Sequence, residues 1–382
     1  MKRIGIVGGG QLARMLALAG RPLGLDFLAL DPAVNAPAAC VARPIVAAFD
    51  DPVALAKLAE ASDVVTYEFE NLSAQALEGL ARIVTVRPGT RSLMISQDRI
   101  NEKQMFASLG LPTAPYRAVD TLGDLKTSIS VLGCPAILKT RRLGYDGKGQ
   151  SLIRQEIDAD NAWSTVAGCA DKAELILEGF VPFQYEVSQI SCRGIDGAIV
   201  HYPLSENVHA AGILRRSIPL AEGMNTSLVV QARQAMERLL VELDHVGVLC
   251  IEFFVVGTDL IVNEMAPRVH NSGHWSIDGG GVSQFENHVR AVVGLPLGNP
   301  ATVRPVAMIN LIGAMPPLSD LLQIPGVRVH DYDKESRPDR KVGHLNLLAD
   351  SPSGLRASIE AVADCLPIES RDAVLRPSIT AW

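Results

Sequence analysis

The stretch Arg141-Arg142-Leu143-Gly144-Tyr145-Asp146-Gly147-Lys148-Gly149-Gln150 places three glycines within six residues and flanks them with charge. Such a segment is neither a strand nor a helix interior, because glycine loses the most backbone entropy on ordering and offers nothing to pack. It is a polar loop. The apolar runs beside it, Ala136 to Lys139 and Ser151 to Arg154, read as the two strands of a hairpin. Lys139 then ends a strand and faces a loop rich in backbone N–H groups. A lysine on a rigid strand offsets phosphate charge, and flexible amides close over the phosphates and exclude water. No G-x-x-x-x-G-K-[ST] occurs, so this is not a P-loop.

Downstream residues extend that pattern. Leu175 to Glu178 reads as a strand, and Glu178-Gly179-Phe180-Val181 leads into a linker that offers backbone groups to an adenine edge. Glu186 follows, with a carboxylate suited to ribose hydroxyls. Val246 to Val256 and Leu260 to Glu264 read as a hairpin around Gly257-Thr258-Asp259. If Val256 pairs with Leu260, Glu252 lies opposite Glu264, on the face that carries Phe254 and Val262. Directly opposed carboxylates repel unless a cation or a shared proton lies between them. All-oxygen ligation suits Mg²⁺, whose other positions go to water and phosphate.

Two further segments are too polar for packing alone. Glu264-Met265-Ala266-Pro267-Arg268-Val269-His270-Asn271-Ser272-Gly273-His274-Trp275 holds an arginine for anion stabilisation, amide and hydroxyl donors, and two histidines. His270 and His274 are each either a general base or a structural histidine. The segment 331–344 concentrates Lys334, Arg337, Arg340 and Lys341, a solvated loop or a seat for a phosphate or carboxylate.

At the N-terminus, Ile4 to Val7 reads as a buried strand, Gly8-Gly9-Gly10 as a turn and Gln11 to Gly20 as a helix. A second apolar run ends at Asp31, a helix covers Pro52 to Ala61, and Asp63 to Glu70 reads as a strand. This alternation argues for a doubly wound parallel sheet. Gly8 to Ala13 also fits the G-x-G-x-x-A dinucleotide pattern, which any phosphate-binding turn shares. Helices are expected at Asp98 to Leu109, Ser227 to Leu243, Ser283 to Val293 and, last in the chain, Ser353 to Leu366. The 382 residues suit more than one domain, 48% apolar content supplies ample core, and a net charge of −7 argues against a nucleic-acid footprint. Six cysteines without a CxxC pair indicate a reducing compartment. No signal peptide or bilayer-spanning run is recognisable, so a cytoplasmic protein is expected.

Lys139, the 144–150 loop, Glu178 with Glu186, and Glu252 with Glu264 resemble the ATP-grasp superfamily in order and spacing. Within it, the chain resembles the N5-carboxyaminoimidazole ribonucleotide synthetases through G-G-G-Q-L at 8–12, Y-E-F-E-N at 67–71, the 144–150 loop, A-P-R-V-H-N-S-G-H-W at 266–275 and D-K-E-x-R-P-x-R-K-V-G-H at 333–344. The resemblance implies an α/β (α+β) ATP-grasp fold: a Rossmann-like preATP-grasp domain at 1–96, a linker helix and lid at 97–184, and a C-terminal domain with a small terminal subdomain at 185–382. It implies ATP contacts at Arg99, Lys139, Gly144, Tyr145, Asp146, Gly147, Lys148, Gly149, Gln150, Glu178, Gly179, Phe180, Val181, Glu186, His209, Asn263 and Glu264. Glu252 and Glu264 would hold Mg²⁺. Gln11, Leu12, Glu70, Tyr145, Asp146, Arg268, His270, Asn271, Ser272, Lys334, Arg340 and Lys341 would contact 5-aminoimidazole ribonucleotide or bicarbonate, with the 8–10 turn facing a substrate phosphate.

Catalytic roles fall to Lys139, Arg268, Asp146 and His270 on this reading. The implied reaction is ATP-dependent carboxylation through carboxyphosphate, in a cytoplasmic homodimer with no nucleic-acid or membrane partner. Two departures stand out. Ala266 occupies the position of a usual third metal ligand, so Asn263, Asn271 or water completes the shell. Arg99 stands where a lysine is more common. The alternatives are a formate-dependent glycinamide ribonucleotide transformylase, a biotin carboxylase-like ligase, and an NAD-dependent oxidoreductase using the Gly8–Ala13 turn.

Overall fold

The computed structural model describes residues 2–144, 149–168, 174–220 and 226–378. The first unit alternates strand and helix: β1 (Arg3–Val7), α1 (Gln11–Gly20), β2 (Asp26–Asp31), β3 (Arg43–Val46), α2 (Pro52–Glu60), β4 (Val64–Tyr67), α3 (Ala74–Ala81) and α4 (Thr90–Ser96). All pairings in its four-stranded sheet, ordered β3-β2-β1-β4, are parallel. The strands are short and apolar because helices cover the sheet. α2 starts where Asp51 accepts from Val53 N and Ala54 N, with Pro52 in the first turn.

α5 (Arg99–Ser108), capped by Asp98, leads into an antiparallel sheet ordered β5-β8-β6-β7. Its elements are β5 (Tyr116–Val119), α6 (Leu122–Leu132), β6 (Ala136–Thr140), β7 (Gln150–Ile153), α7 (Ala159–Ala167) and β8 (Leu175–Gly179). Lys139 pairs with Gln150 across the hairpin, so the described residue that ends the glycine-rich segment lies beside the lysine.

Among the described residues the largest sheet has nine strands: β9 (Tyr185–Arg193), β10 (Ile199–His201), β11 (Ser205–Ala210), β12 (Ile213–Pro219), β13 (Gly247–Val256), β14 (Asp259–Ala266), β15 (Val306–Ile312), β16 (Val327–Asp331) and β17 (Lys341–Leu348). Its helices are α8 (Thr226–Glu242), α9 (Gln284–Val293), α10 (Leu318–Leu321), α11 (Pro352–Ala363) and α12 (Ile368–Val374). One buried cluster joins α1, β1 and β2 to α9, β9 and β13, so the first unit packs directly onto the large sheet. Among the described residues, no helix is long and apolar enough to cross a membrane.

Three expectations need correction. The chain's last described helix is α12, after a break at Pro367, and Arg216 of β12 donates to the carbonyls of Val374 and Arg376 behind it. The hairpin β11–β12 was not anticipated, because its strands carry Glu206, Asn207, Arg215 and Arg216, which are nevertheless buried. The β13–β14 turn is a two-residue loop, Gly257-Thr258, with Val256 opposite Asp259. A bulge then absorbs Asn263, so that Glu252 lies opposite Glu264 after all. The bulge also changes the faces: Val262 pairs with Phe253 in the core, away from the acids, while Phe254 stacks on Phe183.

Candidate active site

Where the four-stranded antiparallel sheet meets the large sheet, charges are paired in depth. Lys139 Nζ on β6 donates to Glu178 Oε2 on β8 at 3.0 Å. Lys103 Nζ on α5, almost fully buried, lies 3.4 Å from Glu178 Oε1. Burial opposes ionisation of Glu178, but Lys139, Lys103 and Arg99 outweigh it and bring its pKa down to about 2. Arg99 Nη1 reaches Glu264 Oε2 at 2.9 Å. Beside it, burial and the Glu264 charge push the Glu102 carboxyl up, although Met265 N–H donates to it at 2.7 Å.

The bulge at Asn263 sets two oxygen-bearing residues, Asn263 and Glu264, against the single Glu252. Glu252 Oε1 lies 3.0 Å from His270 Nε2. Burial opposes its ionisation, but the His270 bond and the charges of His270, His209 and Lys341 hold the carboxyl below the usual range. Asn263 Oδ1 is buried and has no hydrogen-bond partner among the described residues. An amide oxygen and two carboxylates at one position of the hairpin register are hard donors, of the kind that suit Mg²⁺ bound through one or two carboxylates and substrate phosphates. Asn271 is excluded from that set, because its amide is exchanged with Asn310 in two hydrogen bonds of 3.0 and 2.7 Å.

His270 sits in a directed chain. Ser188 Oγ donates to Ser272 Oγ at 2.7 Å, and Ser272 Oγ lies 2.8 Å from His270 Nδ1. The Ser272 N–H also lies 3.4 Å from Nδ1, while Nε2 faces Glu252. His274 differs. It is buried between Phe285 and His344, and burial holds its pKa well below the ordinary value. On β9 and β11, Glu186 Oε2 lies 2.8 Å from His209 Nδ1. Burial opposes protonation of His209, but Glu186 outweighs it and raises the pKa.

The first unit closes the other side. Arg268 makes a two-pronged ion pair with Glu70, Nη2 to Oε1 at 2.7 Å and Nε to Oε2. Burial opposes both charges, yet each holds the other ionised. Lys334 Nζ, in the loop before β17, donates to Gln11 Oε1 at 2.6 Å, joining residues 323 apart in sequence.

The glycine turn departs from expectation. Gly9 N–H donates to Asp31 Oδ2 at 2.9 Å, Gly10 N–H to Glu68 Oε1, and Ala13 N–H to Glu68 Oε2 at 2.9 Å. These amides serve the chain's own carboxylates and not a ligand phosphate. Asp31, which would hold a dinucleotide ribose, is likewise spent on the turn.

Family models match over most of the chain: a ribonucleotide synthetase preATP-grasp domain at 1–97, an ATP-grasp domain at 104–285 and a phosphoribosylaminoimidazole carboxylase C-terminal domain at 306–358. A curated Pseudomonas aeruginosa relative, named N5-carboxyaminoimidazole ribonucleotide synthase, is 46% identical over 360 residues, 94% of this chain and 98% of its own. The chain belongs to the N5-carboxyaminoimidazole ribonucleotide synthase family. An Escherichia coli member is 39% identical over 378 residues, covering 98% of both chains. The crystal structure of the Thermus thermophilus synthetase superposes with a TM-score of 0.90 at 47% identity, covering 95% of this chain and 98% of that one. An Aspergillus clavatus synthase, solved in complex with ADP and the aminoimidazole ribonucleotide, superposes with a TM-score of 0.88 at 27% identity, over 97% and 98% of the two chains.

As a member of this synthase family the chain is an ATP-dependent ligase with an ATP-grasp fold. Its structure brings together, in pairs, Lys139 with Glu178, Arg99 with Glu264, Glu186 with His209, Glu252 with His270, Glu70 with Arg268, and Gln11 with Lys334. Tyr145, Asp146, Gly147 and Lys148 lie outside the described residues; Gly144, Gly149 and Gln150 flank them. The Phe180 N–H is taken by Pro135 O at 3.1 Å and the Val181 carbonyl by Phe183 N–H at 2.9 Å, while Gly179 closes β8. Leu12 is buried, so only its backbone is presented. Arg340 stays at the loop edge, donating to Glu335 O at 3.3 Å, and Lys341 opens β17. Sequence reasoning missed Lys103, Glu102 and Glu68. The first two occupy one turn of α5 beside Arg99. Glu68 lies two residues before Glu70, both beyond the end of β4, within the Y-E-F-E-N stretch at 67–71.

Proposed function

We infer that the chain carboxylates 5-aminoimidazole ribonucleotide with bicarbonate, using ATP and releasing ADP and phosphate, in purine biosynthesis. The observation that carries this reading is the arrangement of Glu252 opposite Asn263 and Glu264, between the cationic cluster at Lys139 and the Glu70–Arg268 pair. Glu252, Glu264 and Asn263 Oδ1 are the residues suited to hold Mg²⁺, which when bound neutralises phosphate charge. Lys139 and Arg99 exchange their carboxylate partners for nucleotide phosphates, and the Val181 N–H and Glu186 take the adenine and ribose ends.

Bicarbonate oxygen attacks the γ-phosphorus, the bond to ADP breaks, and carboxyphosphate forms. Arg268 stabilises the charge that moves onto the transferred group. The 144–150 loop keeps water from this short-lived species. The amine nitrogen then bonds to the carboxyl carbon, phosphate leaves, and the amine proton passes to His270 or Asp146. Lys334, Arg340 and Lys341 receive the ribonucleotide phosphate, with Gln11, Leu12, Asn271 and Ser272 around the sugar and base. The enzyme works as a cytoplasmic homodimer.

Omitting bicarbonate and the ribonucleotide in turn tests this. ADP release is expected to need bicarbonate and to rise with the ribonucleotide. Release supported by formate in place of bicarbonate would turn the reading towards a transformylase.

A further inference from the structure

Glu68 takes no part in the pairs from which the proposed chemistry is built. It follows the end of β4, is buried, and meets the first turn of α1 through the Gly10 and Ala13 amides. A Cβ at Gly8 would overlap the Glu68 side chain, and so would one at Gly10; Gly8 also has φ +103. Both glycines are thus accounted for by the approach of an internal carboxylate. First-turn N–H groups of a helix find no partner within it. In α1, Arg14 N–H is bonded to Gly10 O at 3.0 Å, and Glu68 takes those of Gly10 and Ala13. Among the described residues no partner is found for the Gln11 and Leu12 N–H groups, which lie next to the Gln11–Lys334 contact.

We propose that Glu68 is a positioning residue for the ribonucleotide. Its carboxylate fills the seat that a dinucleotide pyrophosphate takes on such a turn, and it holds the turn so that the Gln11 and Leu12 amides and Lys334 face the substrate. This rests on the ligase reading above. It makes the turn a chain-built anion site with half its donors already spent, which rejects a second bulky anion there and orients the ribonucleotide by what is left.

The test uses the full chain as Glu68→Ala and Glu68→Gln, with ADP release measured while ribonucleotide and ATP are varied separately and thermal unfolding as the folding control. Glu68→Ala is expected to raise the KM for the ribonucleotide about tenfold or more, as for a lost pair of charge-assisted hydrogen bonds, with the KM for ATP within about twofold. Formate, a small carboxylate, is expected to lower that raised KM and to leave the wild-type value alone. Glu68→Gln keeps the shape but turns an amide N–H₂ towards a backbone N–H, so it shows the same split to a smaller extent; it carries the test if Glu68→Ala does not fold. An unchanged ribonucleotide KM in a folded variant, parallel rises in both KM values, or no response of Glu68→Ala to formate overturns the proposal. A wild-type chain whose ADP release ignores the ribonucleotide would sink the ligase reading, and this proposal with it.

Discussion

His288 is held so that a second proton has nowhere to go. Its Nδ1 accepts from Val248 N–H at 3.1 Å, so the ring hydrogen is on Nε2, which lies 2.9 Å from Thr66 Oγ1. The ring therefore ties β4 of the first sheet to α9 and β13. Burial, and then the charge of His245, bring its pKa from 6.5 down to about 3. Between those two values the unfolded chain carries a proton that the folded chain refuses. The stability from the neutral ring is fully present above the unfolded value and is lost as pH falls through the window. Each pH unit costs about 1.4 kcal/mol, so roughly 2 kcal/mol is gone by about pH 5. Urea unfolding of wild type and His288→Asn at about pH 7.5 and about pH 5 measures this. The variant is expected to be the less stable of the two at the higher pH, through the lost ring and the lost bond to Thr66. Its further fall to the lower pH should be about 2 kcal/mol smaller than that of wild type. His245, His274 and His344, also depressed by burial, titrate in both chains and cancel. Parallel pH dependences would refute the argument.

Glu252→Gln removes the charge that faces Asn263 and Glu264 and leaves His270 Nε2 with a neutral acceptor. ADP release should fall by about a hundredfold or more, the scale of losing one electrostatic partner of a transferring phosphoryl group, and full ATP turnover in this variant would defeat the metal assignment. Glu70→Gln and Arg268→Lys should be strongly non-additive. A double-mutant cycle on kcat/KM for the ribonucleotide is expected to show a coupling of about 2 kcal/mol, and additive losses would mean that the pair does not act as a unit.

Much of the fold was legible because the apolar runs are short and regularly spaced. α1 and the Asp98-capped α5 start where their sequence signals say. The β11–β12 hairpin was opaque, since Glu206 and Arg216 look like surface charges until the sheet buries them against each other at 3.1 Å. The Glu252–Glu264 pairing was reached through a wrong turn length that the bulge offset by one residue. Nothing in the local sequence announces that bulge, because register is decided by which side chains the core accepts. The glycine turn was misread for a related reason. Glycine reports close approach, and only the structure says that the approaching group is Glu68.

Asn263 has a second consequence beyond its oxygen. Side chains on a strand alternate with a period of two, so one supernumerary residue acts as a switch of phase. On the turn side of it β14 sends Val262 into the core, and on the far side it presents Glu264 to the cleft. Were the strand to keep Asn263 but lose the bulge, regular alternation would turn Glu264 inward beside Val262 and send Met265 towards the cleft. The hairpin tip at Gly257-Thr258 lies before this phase change, and a longer tip leaves it intact.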